Sequence, residues 1–252
     1  MILYFSATGN NKYLAEKIAL ETGERPVSIV DCIKNKQYEF QDEEIIGIVT
    51  PTYFWRLPRI VATFLEHISI KNCGYVFFLA SYGTTTGQAG AMAKKIMKNH
   101  HQSFDALYSV IMPDTWTPVF NLNDKTKVNQ WLQDGEQQLQ TVVKHIKNKD
   151  IGNFMDKKIP ELVAALPSNY MYHTERKTKK LTVDREMCVG CGLCEKNCPV
   201  LAIQLVNKKP VWQLNECEMC LGCLHRCPKY AISYGNGKTN QHGQYRNPNT
   251  RI

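Results

Sequence analysis

Eight of the ten cysteines in this 252-residue chain fall between positions 188 and 227, in two runs of identical spacing. Cys188, Cys191, Cys194 and Cys198 are followed by Pro199, and the pattern returns 29 positions later as Cys217, Cys220, Cys223, Cys227 and Pro228. Where thiols stay reduced, such clustering points to metal rather than to disulfides. Three thiolates spaced two residues apart can wrap three corners of an iron–sulfur cubane. The chain must then straighten before a cysteine closes a fourth corner. The rival is a pair of four-cysteine zinc sites, usually built from two separated pairs rather than from contiguous threes.

The double run resembles that of bacterial-type ferredoxins with two [4Fe-4S] clusters, in which the fourth cysteine of each run serves the other cluster. The resemblance implies cluster one on Cys188, Cys191, Cys194 and Cys227, and cluster two on Cys217, Cys220, Cys223 and Cys198. Gly190, Gly192 and Gly222 would let backbone N–H groups approach the sulfurs. Leu193, Ile203, Leu221 and Ile232 would wall off water.

A second chemistry opens the chain. Ser6-Ala7-Thr8-Gly9-Asn10-Asn11 joins an apolar strand to a helix, and the hydroxyls of Ser6 and Thr8 with the N–H groups from Gly9 to Lys12 would converge on an anion at the positive end of the helix dipole. Two later strand ends offer aromatic rings and polar groups for a flat heterocycle. They are Pro51-Thr52-Tyr53-Phe54-Trp55-Arg56 and the segment from Ser81, Tyr82 and Gly83 to Gly87. Doubly wound sheets bind ligands beyond the carboxyl ends of their strands.

Together these loops resemble flavodoxin, and the whole chain resembles the fused flavodoxin-ferredoxin electron-transfer proteins. Met112-Pro113 and the Lys209-Pro210-Val211-Trp212 hairpin extend the match. The resemblance implies FMN held by Ser6, Thr8, Gly9, Asn10, Asn11, Lys12, Pro51, Thr52, Tyr53, Phe54, Trp55, Ser81, Tyr82, Gly83 and Gly87, with no catalytic side chain. Two departures stand out. Asn11 replaces the usual Ser or Thr, keeping the N–H and an amide. The loop from Thr52 to Leu57 lacks the glycine that flavodoxins often place beside flavin N5. A peptide flip there costs on the order of 1 kcal/mol more without it. Arg56, if it faces the flavin, would favour anionic reduced forms.

These sites need a scaffold, and the first 112 residues supply the pattern of one. Strands are expected at Met1 to Phe5, Val27 to Val30, Ile45 to Thr50, Gly74 to Ala80 and Leu107 to Met112. Helices are expected at Asn10 to Glu21, Pro58 to His67 and Gln88 to His100. That alternation predicts an α/β fold, a flavodoxin-like doubly wound parallel sheet of five strands. A long polar helix from about Asp124 to Lys149 closes this domain, residues 1–150. Residues 151–180 read as a helical and basic linker in which Ile159, Leu162, Val163, Leu166 and Tyr170 share a face for docking on a neighbouring domain, with membrane contact as the alternative. Residues 181–235 form a small α+β ferredoxin-like domain, and 236–252 read as a mobile tail.

The formal charge of +8 is uneven, with surpluses of +1 in residues 1–150, +3 in the linker, +1 in the cluster domain and +3 in the tail. Counting cluster thiolates and the FMN phosphate brings the loaded protein to roughly +2, which removes the main support for nucleic-acid binding. No apolar run approaches the roughly 20 residues of a membrane span, and Met1 to Phe5 lacks the basic lead of a secretory signal. A cytoplasmic setting is expected.

Among single residues, Cys32 and Cys73 read as small buried apolar groups, His225 as a surface residue, and Trp131 and Trp212 as packing. Asp114 and Trp116 could cover the flavin or a domain interface. No Gly-x-Gly-x-x-Gly follows the first strand. The expected function is electron relay between FMN, two [4Fe-4S] clusters and protein redox partners. The alternatives are a flavin-dependent reductase of a small acceptor and a zinc scaffold without redox chemistry.

Overall fold

Left-handed glycines bracket the first helix, and this local chemistry sets where the sheet hands over to its ligand loops. The computed structural model describes residues 1–156, 158–159, 161–235 and 239–252, with the side chains of 161–167 outside that description. β1 (Ile2–Tyr4) ends at the Ser6 loop, and Gly9, at φ 99°, turns the chain into α1 (Asn10–Thr22), which Gly23 stops at φ 73°. β2 (Pro26–Ser28) is shorter than its apolar run, because the Ser28 side chain accepts the Asp31 N–H at 3.3 Å and starts α2 (Ile29–Lys34).

β3 (Glu39–Gln41) leads to β4 (Ile46–Pro51), α3 (Arg59–His67) and β5 (Ser69–Lys71). β6 (Val76–Tyr82) is buried along its whole length, as a central parallel strand must be. α4 (Ala89–Asn99), β7 (Ala106–Ile111), α5 (Lys125–Lys147) and β8 (Gly152–Asn153) follow.

The main sheet is parallel with the order β2-β1-β4-β6-β7-β8. It holds six strands rather than five, because β8 adds a two-residue edge too short to leave a pattern. β3 and β5 pair separately, also in parallel. One face packs Leu14 and Ile18 of α1 and Leu139 and Val143 of α5 on Ile2, Val49 and Phe77. The other packs Ile29 and Cys32 of α2, Phe64 of α3 and Ala93 of α4 on Leu3, Ile48 and Phe78. Helices thus cover both faces, the doubly wound α/β arrangement, and the order reverses between β1 and β4.

α6 (Glu161–Glu175) forms the linker helix. Of its expected docking face, Leu162, Val163 and Leu166 lie outside the described side chains, and Tyr170 is 74% exposed. Tyr172, in the last turn, is buried instead, at 5% exposure, as is Ser168 one turn earlier. In the second domain β9 (Leu181–Val183) pairs antiparallel with the closing β12 (Ile232–Tyr234), and β10 (Ile203–Val206) with β11 (Lys209–Trp212). Short helices α7 (Leu193–Lys196) and α8 (Gly222–His225) each carry the third cysteine of a run.

Of the tail, expected to be mobile, residues 236–238 lie outside the described residues, and residues 239–252 pack against the rest of the chain. α9 (Thr239–His242) is followed by a strap in which Tyr245 and Asn247 are only 5% and 2% exposed. Its amides and hydroxyls find specific partners on both domains, which polar composition cannot reveal. Among the described residues no helix is long and apolar enough to cross a membrane.

Candidate functional site

Beyond the carboxyl ends of β1, β4, β6 and β7 lies a cavity of about 260 Å³. Ser6, Thr8, Asn10 and Asn11 line it from the first loop, Pro51, Thr52, Tyr53, Phe54 and Trp55 from the second, and Ser81, Tyr82 and Gly83 from the third. Three residues expected there do not line it. Gly9 turns toward the tail, where an added Cβ would lie 3.0 Å from Asn247 Cβ. Lys12 donates to the Arg251 carbonyl at 2.5 Å. Gly87 is a packing glycine, since a Cβ there would lie 2.4 Å from the Trp55 carbonyl oxygen.

Met112, Pro113, Asp114, Thr115 and Trp116 complete the cavity after β7, and Met171, Met219, Cys220 and Leu221 complete it from the linker helix and the second cysteine run. The last four were missed because nothing within the first domain points to them.

Two observations fit this cavity to a polar heterocyclic ligand. Asn11 Oδ1 and Thr52 Oγ1 are buried on its wall without a hydrogen-bond partner among the described residues, a costly state that a bound group relieves. Tyr53, Phe54, Trp55, Tyr82 and Trp116 supply aromatic surface. The glycine-free loop solves its turn by strain: Phe54 and Trp55 sit at φ 47° and 63°, with N–H to C=O bonds between Tyr53 and Arg56 of 3.0 and 2.9 Å closing it. Arg56 does not face the cavity but lies over the Tyr172 ring, 5.8 Å from its centroid.

Asp114 reaches so close to Gly83 that a Cβ there would lie 2.6 Å from its Oδ2, while its Oδ1 accepts the Trp116 N–H at 3.1 Å. Burial pushes its carboxyl up to about 6.

The cysteines gather around two further, smaller cavities. Cys188, Cys191, Cys194 and Cys227 line one; Cys198, Cys217, Cys220 and Cys223 line the other. Each cavity takes three cysteines from one run and the fourth from its partner. Backbone N–H groups approach three sulfurs, from Ala202 to Cys198 at 3.2 Å, Met219 to Cys217 at 3.2 Å and Ala231 to Cys227 at 3.3 Å. Burial pushes the thiols of Cys194 and Cys217 up to about 11 and that of Cys220 to about 12. Such thiols ionise when a metal replaces the proton.

Among the described residues no three His, Cys, Asp or Glu side chains converge closely enough to hold a single metal ion. Gly190 and Gly192 take the left-handed conformation, but Gly222 does not; in the second run Met219 and Leu221 do so at φ 54° and 52°. Leu193 is 38% exposed rather than a wall, whereas Ile203, Leu221 and Ile232 are buried.

The second run is also the seam between the domains. Glu218, 2% exposed, accepts the Ile60 N–H at 3.3 Å and so caps α3, whose own N-cap, Pro58, offers no side-chain acceptor. The Tyr172 hydroxyl accepts the Arg59 N–H at 2.7 Å and donates to Glu218 at 3.4 Å. His225 is fully buried, against expectation. Its Nδ1 accepts the Tyr245 N–H at 3.2 Å, which leaves Nε2 to donate to the Thr115 carbonyl at 2.9 Å, and burial lowers its pKa to about 4. Trp116 stands edge-on to Phe54 at 5.0 Å and to Tyr234 at 4.9 Å, so one ring touches both domains. The strap closes the seam, with Asn10 Oδ1 accepting from Tyr245 Oη at 2.8 Å and from Asn247 Nδ2 at 3.0 Å.

Residues 1–141 match the family model of a flavodoxin domain, and residues 181–204 that of a 4Fe-4S binding domain. An uncharacterized protein of Methanocaldococcus jannaschii is 42% identical over 55 residues, 22% of this chain and 21% of that protein. A ferredoxin of Pyrobaculum islandicum is 29% identical over 66 residues, 25% of this chain and 60% of its own. An uncharacterized ferredoxin of M. jannaschii is 35% identical over 57 residues, 21% of this chain and 74% of its own. The chain thus spans less than two thirds of the first two relatives.

Two solved structures overlap the chain. They are a putative flavoprotein from Bacteroides uniformis (16% identity, TM-score 0.31, 53% of this chain and 96% of that one) and a flavodoxin from the domain Archaea (16%, 0.32, 57% and 97%).

Proposed function

The chain belongs to the flavodoxin domain family through residues 1–141 and carries a 4Fe-4S ferredoxin domain behind it, and on that premise we propose that it relays electrons among FMN, two [4Fe-4S] clusters and protein redox partners. A bound flavin exchanges one or two electrons and each cluster one, so the combination converts between two-electron and one-electron partners.

The observation that carries this reading is the Met219–Leu221 segment, whose three residues belong to the wall of both the flavin cavity and the cavity of Cys198, Cys217, Cys220 and Cys223. The protein's work is to hold the carriers side by side and dry. Tyr53, Trp116 and Leu221 exclude water between them, and Ser6, Thr8 and Asn11 would hold the phosphate end. At the far side, Cys191 is exposed and Val189 is 59% exposed, which makes the first run the outward terminal for a protein partner.

The shared Met219–Leu221 wall, which sets the ligand cavity against a cysteine-lined cavity, favours a relay over a small-molecule reductase. We place this activity in the cytoplasm, without nucleic acid. Anaerobic purification followed by iron, sulfide and flavin analysis tests the cofactors, with about eight iron atoms and one FMN per chain expected. A colourless, zinc-loaded product would overturn the reading.

A further inference from the structure

A second cavity, of about 250 Å³, shares Ser6, Ala7 and Cys220 with the flavin cavity and lies where the two domains meet. Its charged lining is one-sided. Lys12 and Lys34 come from α1 and α2, Lys196 and Arg226 from the second domain, and Asp31 is the one acidic side chain of the lining, which also includes Ile252. Of the four cations only Lys12 reaches a carboxylate among the described residues, Glu16 at 3.6 Å. Arg226 is fixed by donating Nε to the Ala7 carbonyl at 3.0 Å, and its guanidinium is left without an acidic partner among the described residues.

Cations drawn from both domains into one cavity repel one another, and although Asp31 and a loaded cluster beside Cys198 and Cys220 would balance much of that charge, Lys34, Lys196 and Arg226 make no ion pair among the described residues. Phe5, Val30 and Pro199 give the remaining wall an apolar part.

We propose that this cavity binds a phosphate-bearing small molecule other than the flavin, held by Lys34, Lys196 and Arg226. Guanidinium and ammonium groups together suit phosphate oxygens, and the apolar wall suits an organic body. The site stands on its cationic lining and does not depend on the electron-relay reading. Where the clusters are present it has a consequence for them. An anion against Cys198 and Cys220 disfavours adding an electron to that cluster, and by linkage reduction weakens the anion's binding by the same factor.

The test uses the flavin- and cluster-loaded protein in isothermal titration at fixed ionic strength, with inorganic pyrophosphate and ADP as probes and potassium chloride as control. Saturable binding is expected, weakened about tenfold or more in the Lys34→Gln, Lys196→Gln double variant with flavin and iron content unchanged. Equal affinity for the two probes identifies an inorganic-phosphate site, and tighter ADP a nucleotide site. Heats no larger than the chloride control, or undiminished affinity in the double variant, would overturn the proposal.

Discussion

Between its cysteines the first run carries Val189, Gly190, Gly192, Leu193, Glu195, Lys196 and Asn197, all exposed or half-buried; the matching positions of the second run are Glu218, Met219, Leu221, Gly222, Leu224 and His225, all buried, and Arg226, half-buried. The backbone is the same in both, left-handed at φ 69° and 78° in the first run and at 54° and 52° in the second. Ligand geometry therefore governs the main chain, and the neighbouring surface governs the side chains. A non-glycine residue held left-handed costs roughly 1 kcal/mol. The second run accepts that cost twice, because Met219 and Leu221 close the flavin cavity. The first run, facing solvent, has nothing to close and uses glycine.

The largest test of this contrast sets Cys220→Ala against Cys191→Ala. Each is expected to lose about four of eight iron atoms, but only Cys220→Ala should also lose most of the flavin, read from iron and flavin content after anaerobic purification. Equal flavin retention would show the runs to be equivalent. Next comes Glu218→Ala, which strands the buried Ile60 N–H and uncaps α3; a loss of about 1–3 kcal/mol in denaturant unfolding is expected. The matching Val189→Ala should stay within about 0.5 kcal/mol.

Exchanging the turn chemistry gives smaller effects. Gly192→Ala has room, its nearest neighbour being Leu205 at 3.6 Å, and should cost about 1 kcal/mol for its φ alone. Gly190→Ala should cost more, because the new Cβ would meet the Lys208 carbonyl oxygen at 2.7 Å. Met219→Gly in the second run should leave overall stability nearly level while flavin dissociates several-fold more readily, as about 1–2 kcal/mol of apolar burial is lost from the cavity wall.

The smallest effect sharpens the contrast from the flavin side. The Asp114 carboxyl titrates at about 6 in the folded protein, against roughly 3.9 unfolded, because burial disfavours its charge. Between these values the native state binds more protons, so stability falls as pH rises through that window and stays lowered above it. Asp114→Asn should flatten that fall, by on the order of 1 kcal/mol.

Much of this was legible in the residues. The apolar runs and the Ser6–Asn11 loop announced a doubly wound sheet, and the cysteine spacing announced two ligand sets. β8 was not legible because two residues carry no period, nor β3 and β5, whose three-residue pairing lies outside the main sheet. The seam escaped for another reason. His225 reads as polar surface and nothing singles out Glu218 or Arg226, since a sequence shows a residue's polarity but not the partner that satisfies it. Setting the two runs side by side would have exposed one signal: Met219 and Leu221 occupy positions that glycine holds in the first run. Asn247 and Tyr245 had no such counterpart.

The strap orders events in time. Asn10 stands near the start of the chain, yet the hydroxyl and amide that fix its side chain come from positions 245 and 247. A nascent chain emerging from the ribosome must expose its first loop, then both cysteine runs, before these partners exist. The flavodoxin domain therefore waits, with its first loop incompletely tethered, until the ferredoxin domain and the strap behind it have been synthesised.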